Sequence, residues 1–151
     1  TLAPDDVVDV VTANFIVSKI SAATFNGTLR GELYIVGKEV NSDEFKLMRK
    51  HTFPIRFPPG RKSSVEAATS VVIRSYPEWT GLEIRGQEYG GYVAVVLDAQ
   101  GKVLEMKTDM GWLDEGKIAA FRKLKVLYWF DENCRKRTPP RPKGQAPDSN
   151  A

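Results

Sequence analysis

The sequence predicts an all-β fold: a two-layer antiparallel β-sandwich, immunoglobulin-like in architecture, with seven or eight strands, at most one short helix and a disordered C-terminal tail. Three observations carry this expectation. Runs rich in Val, Ile, Phe and Tyr recur along the chain, separated by Gly, Pro, Asn and Asp. One of them, residues 91–108, reads as a complete hairpin around Asp98-Ala99-Gln100-Gly101. The composition then changes after Asn133 to Pro, Arg, Lys, Gly and Ser.

Residues 1–6 are a polar, proline-bearing entry expected to fray. Val7 to Ile20 is dense in β-branched residues, which favour an extended chain over a helix. Its alternation breaks midway, so a long strand with a bulge near Thr12-Ala13-Asn14 is expected. Asn26-Gly27 signals a turn, and Asn26-Gly27-Thr28 also matches an N-glycosylation acceptor. Leu29 to Val36 alternates well, with Leu29, Leu33 and Ile35 on one face and Arg30, Glu32 and Tyr34 on the other.

Residues 37–44 read as a loop, and 45–50 as a short strand or helical turn. Thr52 to Phe57 reads as a strand that Pro54 confines to an edge or a bulge. Residues 58–64 read as a loop, Ser70 to Tyr76 as a strand and Gly81 to Arg85 as another. The glycines of 86–91 fit a bulge or close backbone approach, since no helix follows to make a phosphate-binding loop.

In the hairpin, pairing outward from the turn sets Val96 opposite Leu104 and Ala94 opposite Met106 on a dry face. Val95 with Glu105 and Val93 with Lys107 then fall on a wetter one. Asp109 to Gly116 is a loop containing Trp112, Lys117 to Leu124 is the candidate helix, and Lys125 to Phe130 reads as a closing strand buried on both faces. The domain expectation is an entry at 1–6, a β-sandwich at 7–133 and a basic, proline-rich tail or linker at 134–151.

The single cysteine, Cys134, forbids an internal disulfide and a Cys-based zinc site. With a chain that opens on Thr1, it leans toward an extracytoplasmic setting, periplasmic or secreted, with a leader already removed. Charge is uneven: residues 134–151 hold five basic side chains and one acid, a net of +4 against +3 for the whole chain. The body to residue 133 is therefore close to neutral.

His51 stands alone, without a second histidine for a metal or a partner for a nucleophile. Cys134 beside Arg135-Lys136-Arg137 has the neighbours that lower a thiol pKa, but no histidine near it in sequence. Glu78, Glu83, Glu88, Asp98, Asp109, Asp114 and Glu115 read as solvated loop acids. No catalytic residue, metal site or cofactor is implied.

The aromatics near turns, Trp79, Tyr89, Tyr92 and Trp112, are the candidate ligand- or partner-binding residues, suited to a protein surface or to a sugar ring. Arg135, Lys136, Arg137, Arg141 and Lys143 are the candidate polyanion contacts, without the aromatic platform or recognition helix of specific nucleic-acid readout. The functional expectation is a non-catalytic module of an exported protein, binding a protein partner through its aromatic end loops. Carbohydrate binding by the same aromatics and polyanion binding by the tail are its alternatives.

Overall fold

The structure, a computed structural model, describes residues 7–19, 27–58, 63–77 and 84–139. These residues are all-β apart from one short helix. Its strands are β1 (Val7–Lys19), β2 (Leu29–Glu39), β3 (Phe45–Ile55), β4 (Ser63–Pro77), β5 (Ile84–Leu97), β6 (Val103–Thr108), β7 (Trp129–Phe130) and β8 (Lys136–Arg137), with α1 (Ile118–Arg122) between β6 and β7. They form one antiparallel sheet ordered β1-β4-β5-β2-β3-β7-β8, with β6 on β5.

The hydrogen-bonded ladder is thus a single sheet and not two separate ones. It gains depth because β5 has two partners on one side: β4 pairs only with Ile84 to Gly86, and β6 takes over from Val93 to Leu97. The long β1/β4 ribbon leaves the sheet where β4 parts from β5, and it folds back over the sheet's face. Phe15, Val17, Val65 and Ala67 of the ribbon pack there against Leu33, Phe53, Ile55, Ala94 and Val96.

The other face of the sheet is covered by the 109–128 segment. Tyr34, Val36, Phe45, Leu47, Val93, Val95 and Leu97 meet Met110, Leu113, Ile118, Phe121 and Leu124 there. β2, covered on both faces, is buried without interruption from Gly31 to Gly37. At Gly31 there is no room for a Cβ, because the ring of Phe53 lies across the backbone.

Several elements differ from the sequence expectation. β1 pairs with β4 in one unbroken register from Val7↔Ser75 to Lys19↔Ser63, so it carries no bulge near Thr12. The two segments expected at 45–50 and 52–57 form one strand, β3, and β4 starts at Ser63 rather than Ser70. The glycine-rich stretch 86–91 belongs to β5 and is not a connection, although it does hold a bulge: Val36 pairs with Gly91 and Gly37 with Tyr89, leaving Gly90 over.

The hairpin turn forms as expected. Asp98 Oδ1 accepts from the amides of Gln100 and Lys102 at 2.9 and 2.8 Å, and Gly101 takes φ 83°. The expected register holds at Leu97↔Val103 and then slips by one, giving Val96↔Glu105, Val95↔Met106 and Ala94↔Lys107. Leu104 is the residue left over, and it is exposed. The slip turns Met106 toward the Val93/Val95/Leu97 core and puts Glu105 and Lys107 on the face of Ala94 and Val96.

The largest correction concerns Lys125 to Phe130, expected as a buried strand. Only Trp129 and Phe130 are strand, while Val126 and Leu127 sit at the crown of an exposed turn. Strand pairing also continues past residue 133, because Lys136 and Arg137 form β8 against β7.

Candidate functional site

β1 is the terminal strand of the sheet, and among the described residues its one strand neighbour is β4. Its free edge borders a groove above β5 and β6. One part, of about 490 Å³, is lined by Tyr92, Phe15 and Val17, with Leu33, Ala94 and Val96 buried at its base, and lipped by Glu105 and Lys107. A second part, of about 400 Å³, adjoins it at Asn14 and Tyr92 and reaches Val11 and Tyr89. Together they follow β1 from Val11 to Ser18.

The bulge at Gly90 makes this shape. Tyr89 and Tyr92 have opposite parity and would face opposite sides of a regular strand; one extra residue between them brings both to the groove. Asp109 then fixes the pair. Its Oδ2 accepts from the Tyr89 hydroxyl at 2.6 Å and its Oδ1 from the Tyr92 amide at 2.8 Å. Partial burial, together with this bond to a carboxylate, holds the Tyr89 phenol well above its ordinary pKa, so it stays a donor.

Of the four aromatics singled out from the sequence, Tyr89 and Tyr92 come together. Trp112 belongs to the opposite face, packed at 5.2 Å from Phe45 and 6.3 Å from Phe130, with the Lys117 ammonium over its ring. It plugs the end of the core under the 109–128 segment. Trp79 lies outside the described residues, as do Arg141 and Lys143.

Arg137 closes a turn: its guanidinium binds Asp131 at 2.8 Å, and Asp131 also accepts from the amides of Asn133 and Arg135. Burial works against the Asp131 carboxylate, but those three partners outweigh it and hold its pKa below the usual range. Lys136 lies 4.1 Å from the Tyr128 ring centroid, and Arg135 is exposed. Cys134 is buried, and burial pushes its thiol up to about 11, opposite to the lowering its basic sequence neighbours suggest.

The remaining candidates serve the fold. Asp114 satisfies the amides of Gly116 and Lys117 ahead of α1, and Glu88 sits 3.7 Å from Lys38. Glu78 and Glu83 fall outside the described residues. His51 stacks on Phe53 at 5.7 Å. Among the described residues no three His, Cys, Asp or Glu side chains are grouped to hold a metal ion, and no helix is long and apolar enough to cross a membrane.

Sequence reasoning missed the buried carboxylate of Glu32. Its Oε1 accepts from the Arg122 Nε and the Tyr34 hydroxyl, both at 2.7 Å, and Lys50 stands 3.7 Å from Oε2. The network ties α1 to the central strand. The alternation of β2 puts Glu32 on the face of Arg30 and Tyr34; only α1, ninety residues on, makes that face an interior.

No protein family, curated protein or solved structure matches this chain.

Proposed function

We propose that the protein is a partner-binding module, of an exported protein, that captures an extended polypeptide segment along the free edge of β1. The observation that carries this reading is the coincidence of a strand edge that has no strand partner among the described residues with a groove of matching length. From Val11 to Ser18 the edge spans about 24 Å at roughly 3.4 Å per residue. An added strand there would draw affinity from main-chain hydrogen bonds to β1. It would draw specificity from alternate side chains set against the Tyr92 ring and the Glu105/Lys107 lip.

The groove is mostly preformed, which lowers the cost of binding. Glu105 and Lys107, side by side on the lip, favour a segment whose outward residues alternate in charge or are neutral. Tyr92 is the natural anchor, and its backbone is held independently of its ring, by Asp109 at the amide and by the Thr108 hydroxyl at the carbonyl. The ring can therefore be removed without loosening the strand.

Selection from a random displayed-peptide library should return segments alternating apolar and polar residues. Bound peptide should slow amide exchange along residues 11–18, and Tyr92→Ser should weaken binding by about tenfold, the loss typical of an interface anchor. Protection that appears only around Trp112, or peptides indifferent to Tyr92→Ser, would sink the reading.

A further inference from the structure

We infer that the 125–128 turn is a docking point for a bilayer carrying anionic headgroups. The Tyr128 amide bonds to the Lys125 carbonyl at 3.0 Å, which makes Val126 and Leu127 the central residues of a tight turn. Leu127 has φ 73°, the left-handed region where glycine or asparagine is cheapest and leucine is strained. The turn is locked in place, with Leu127 donating to the Leu47 carbonyl at 2.6 Å and Leu47 donating to the Tyr128 carbonyl at 3.0 Å.

Leucine at this position gains nothing from the fold. Leu127 is 59% exposed and Val126 44%, so two apolar side chains project from a rigid crown. A strained position held by the surrounding structure, and filled with a residue that solvent does not favour, points to an external contact.

Charge names the contact. Residues 116–130 contain Lys117, Arg122, Lys123 and Lys125 and no acid. β3, to which the turn is hydrogen-bonded, contains Lys46, Arg49 and Lys50 and no acid either. Arg122 and Lys50 are partly engaged by Glu32, Arg49 donates to the Thr69 hydroxyl at 3.2 Å and Lys46 lies over the Trp129 ring, which leaves Lys123 and Lys125 beside the crown, with Lys136 over Tyr128. The acids that bound these stretches are Glu115, Asp131 and Glu132 beside 116–130 and Glu44 before β3; Glu44 and Asp131 flank the far end of the β3–β7 pairing, and Asp131 is bound to Arg137.

An apolar tip flanked by lysines, with a tyrosine at its base, matches the layering of an anionic membrane surface: acyl boundary, then headgroups. The crown lies on the β3/β7 side of the sheet, with β2 and β5 between it and β6, so it is separate from the β1 groove.

Flotation of the full chain with phosphatidylcholine vesicles, with and without phosphatidylglycerol, tests the inference. Binding should require the anionic lipid. Lys123→Gln and Lys125→Gln should each weaken it about fivefold, the size expected for one basic residue at such a surface. Leu127→Gly should weaken it about tenfold while leaving thermal stability equal or higher, because glycine fits the turn. Equal binding to neutral vesicles, no binding to either, or binding that Leu127→Gly leaves unchanged would each overturn it. So would binding lost on deleting residues 140–151 but insensitive to the three substitutions, which would move the contact to the tail.

Discussion

Replacing Glu32 should reveal how firmly α1 is tied to the sheet. Glu32 is 3% exposed and receives two short hydrogen bonds at one oxygen, from Arg122 and Tyr34. Hydrogen bonds to a charged group contribute about 1.5–3 kcal/mol each, and removing one partner of a buried pair adds the cost of stranding the other. Arg122 keeps some solvent contact, with its side chain 22% exposed, which places the penalty toward the low end. Glu32→Gln, which retains an acceptor for Tyr34, should cost about 2 kcal/mol; Glu32→Ala, which strands both donors, should cost about 3–4 kcal/mol. For a chain of this size the former lowers Tm by about 4–8 °C.

The pH dependence has a fixed sign. Burial opposes ionisation of Glu32, but the bonds from Arg122 and Tyr34 and the charges of Arg122 and Lys50 outweigh it, so the folded pKa lies below the ordinary 4.5. The carboxylate therefore stabilises the fold fully above that value, and its contribution is lost as pH falls through the lower folded value. Urea titrations should show wild type and Glu32→Gln converging in acid, and a double-mutant cycle with Arg122→Met should give a coupling of about 2 kcal/mol at neutral pH. A coupling under about 0.5 kcal/mol, or a stability gap that stays constant into acid, would refute the argument.

Phe121→Ala, which empties a fully buried site 5.0 Å from Tyr34 and 5.8 Å from Phe130, should cost about 3–5 kcal/mol in chemical denaturation. Gly86→Ala should cost about 2 kcal/mol or more, because φ is 98° and the new methyl would strike the Arg74 carbonyl. The Cys134 thiol should react slowly with Ellman's reagent at neutral pH and become fast only in urea; fast reaction of the folded protein would contradict its burial. Amide exchange should be faster throughout β1, whose inward residues are only half-buried, than in β2, which is buried on both faces.

What the sequence disclosed was local. Asp98 and Gly101 specify their turn through their own backbone, so the hairpin was legible to the residue. Its register beyond Leu97 was not, since extruding Leu104 gains a place in the core for Met106, and that core is built by residues of the 109–128 segment. β2 was legible as a strand through its alternation, while the role of Glu32 waited on Arg122. Ser63 to Thr69 lacks bulky β-formers, so the expected strand began only at Ser70, yet its inward positions, Val65, Ala67 and Thr69, are small enough to let the ribbon approach the sheet. The apolar string from Lys125 to Phe130 suggested a buried strand because nothing in it marks a turn; a leucine occupies the position where glycine would have given the turn away. Charge counting placed the basic excess in the tail and averaged away the acid-free surface around residues 116–130. Of the candidate site, Tyr89 and Tyr92 were legible as aromatics near a turn, but the bulge that aligns them depends on β2.

The groove follows from how β5 is shared. A strand has two edges, and one edge of β5 is taken by β2 from Gln87 to Leu97. The other must serve β4 and β6 in succession, because β5 is fourteen residues long and each of them pairs with only part of it. Between the two partners, at residues 87–92, that edge has no strand beside it, and the ribbon must rise out of the plane to let β6 in. Gly86, with φ 98° against the Arg74 backbone, stands where β4 departs; Gly90 and Gly91 stand just before Val93, which pairs with the last residue of β6. A side chain at any of these points would force the ribbon away from the sheet or the bulge out of the strand. The same departure that opens the cleft between β1 and β6 leaves β1 hanging over it with one edge unpaired. Free edge and groove are therefore one geometric consequence, and a change that closes the branch at Gly86 should alter both together.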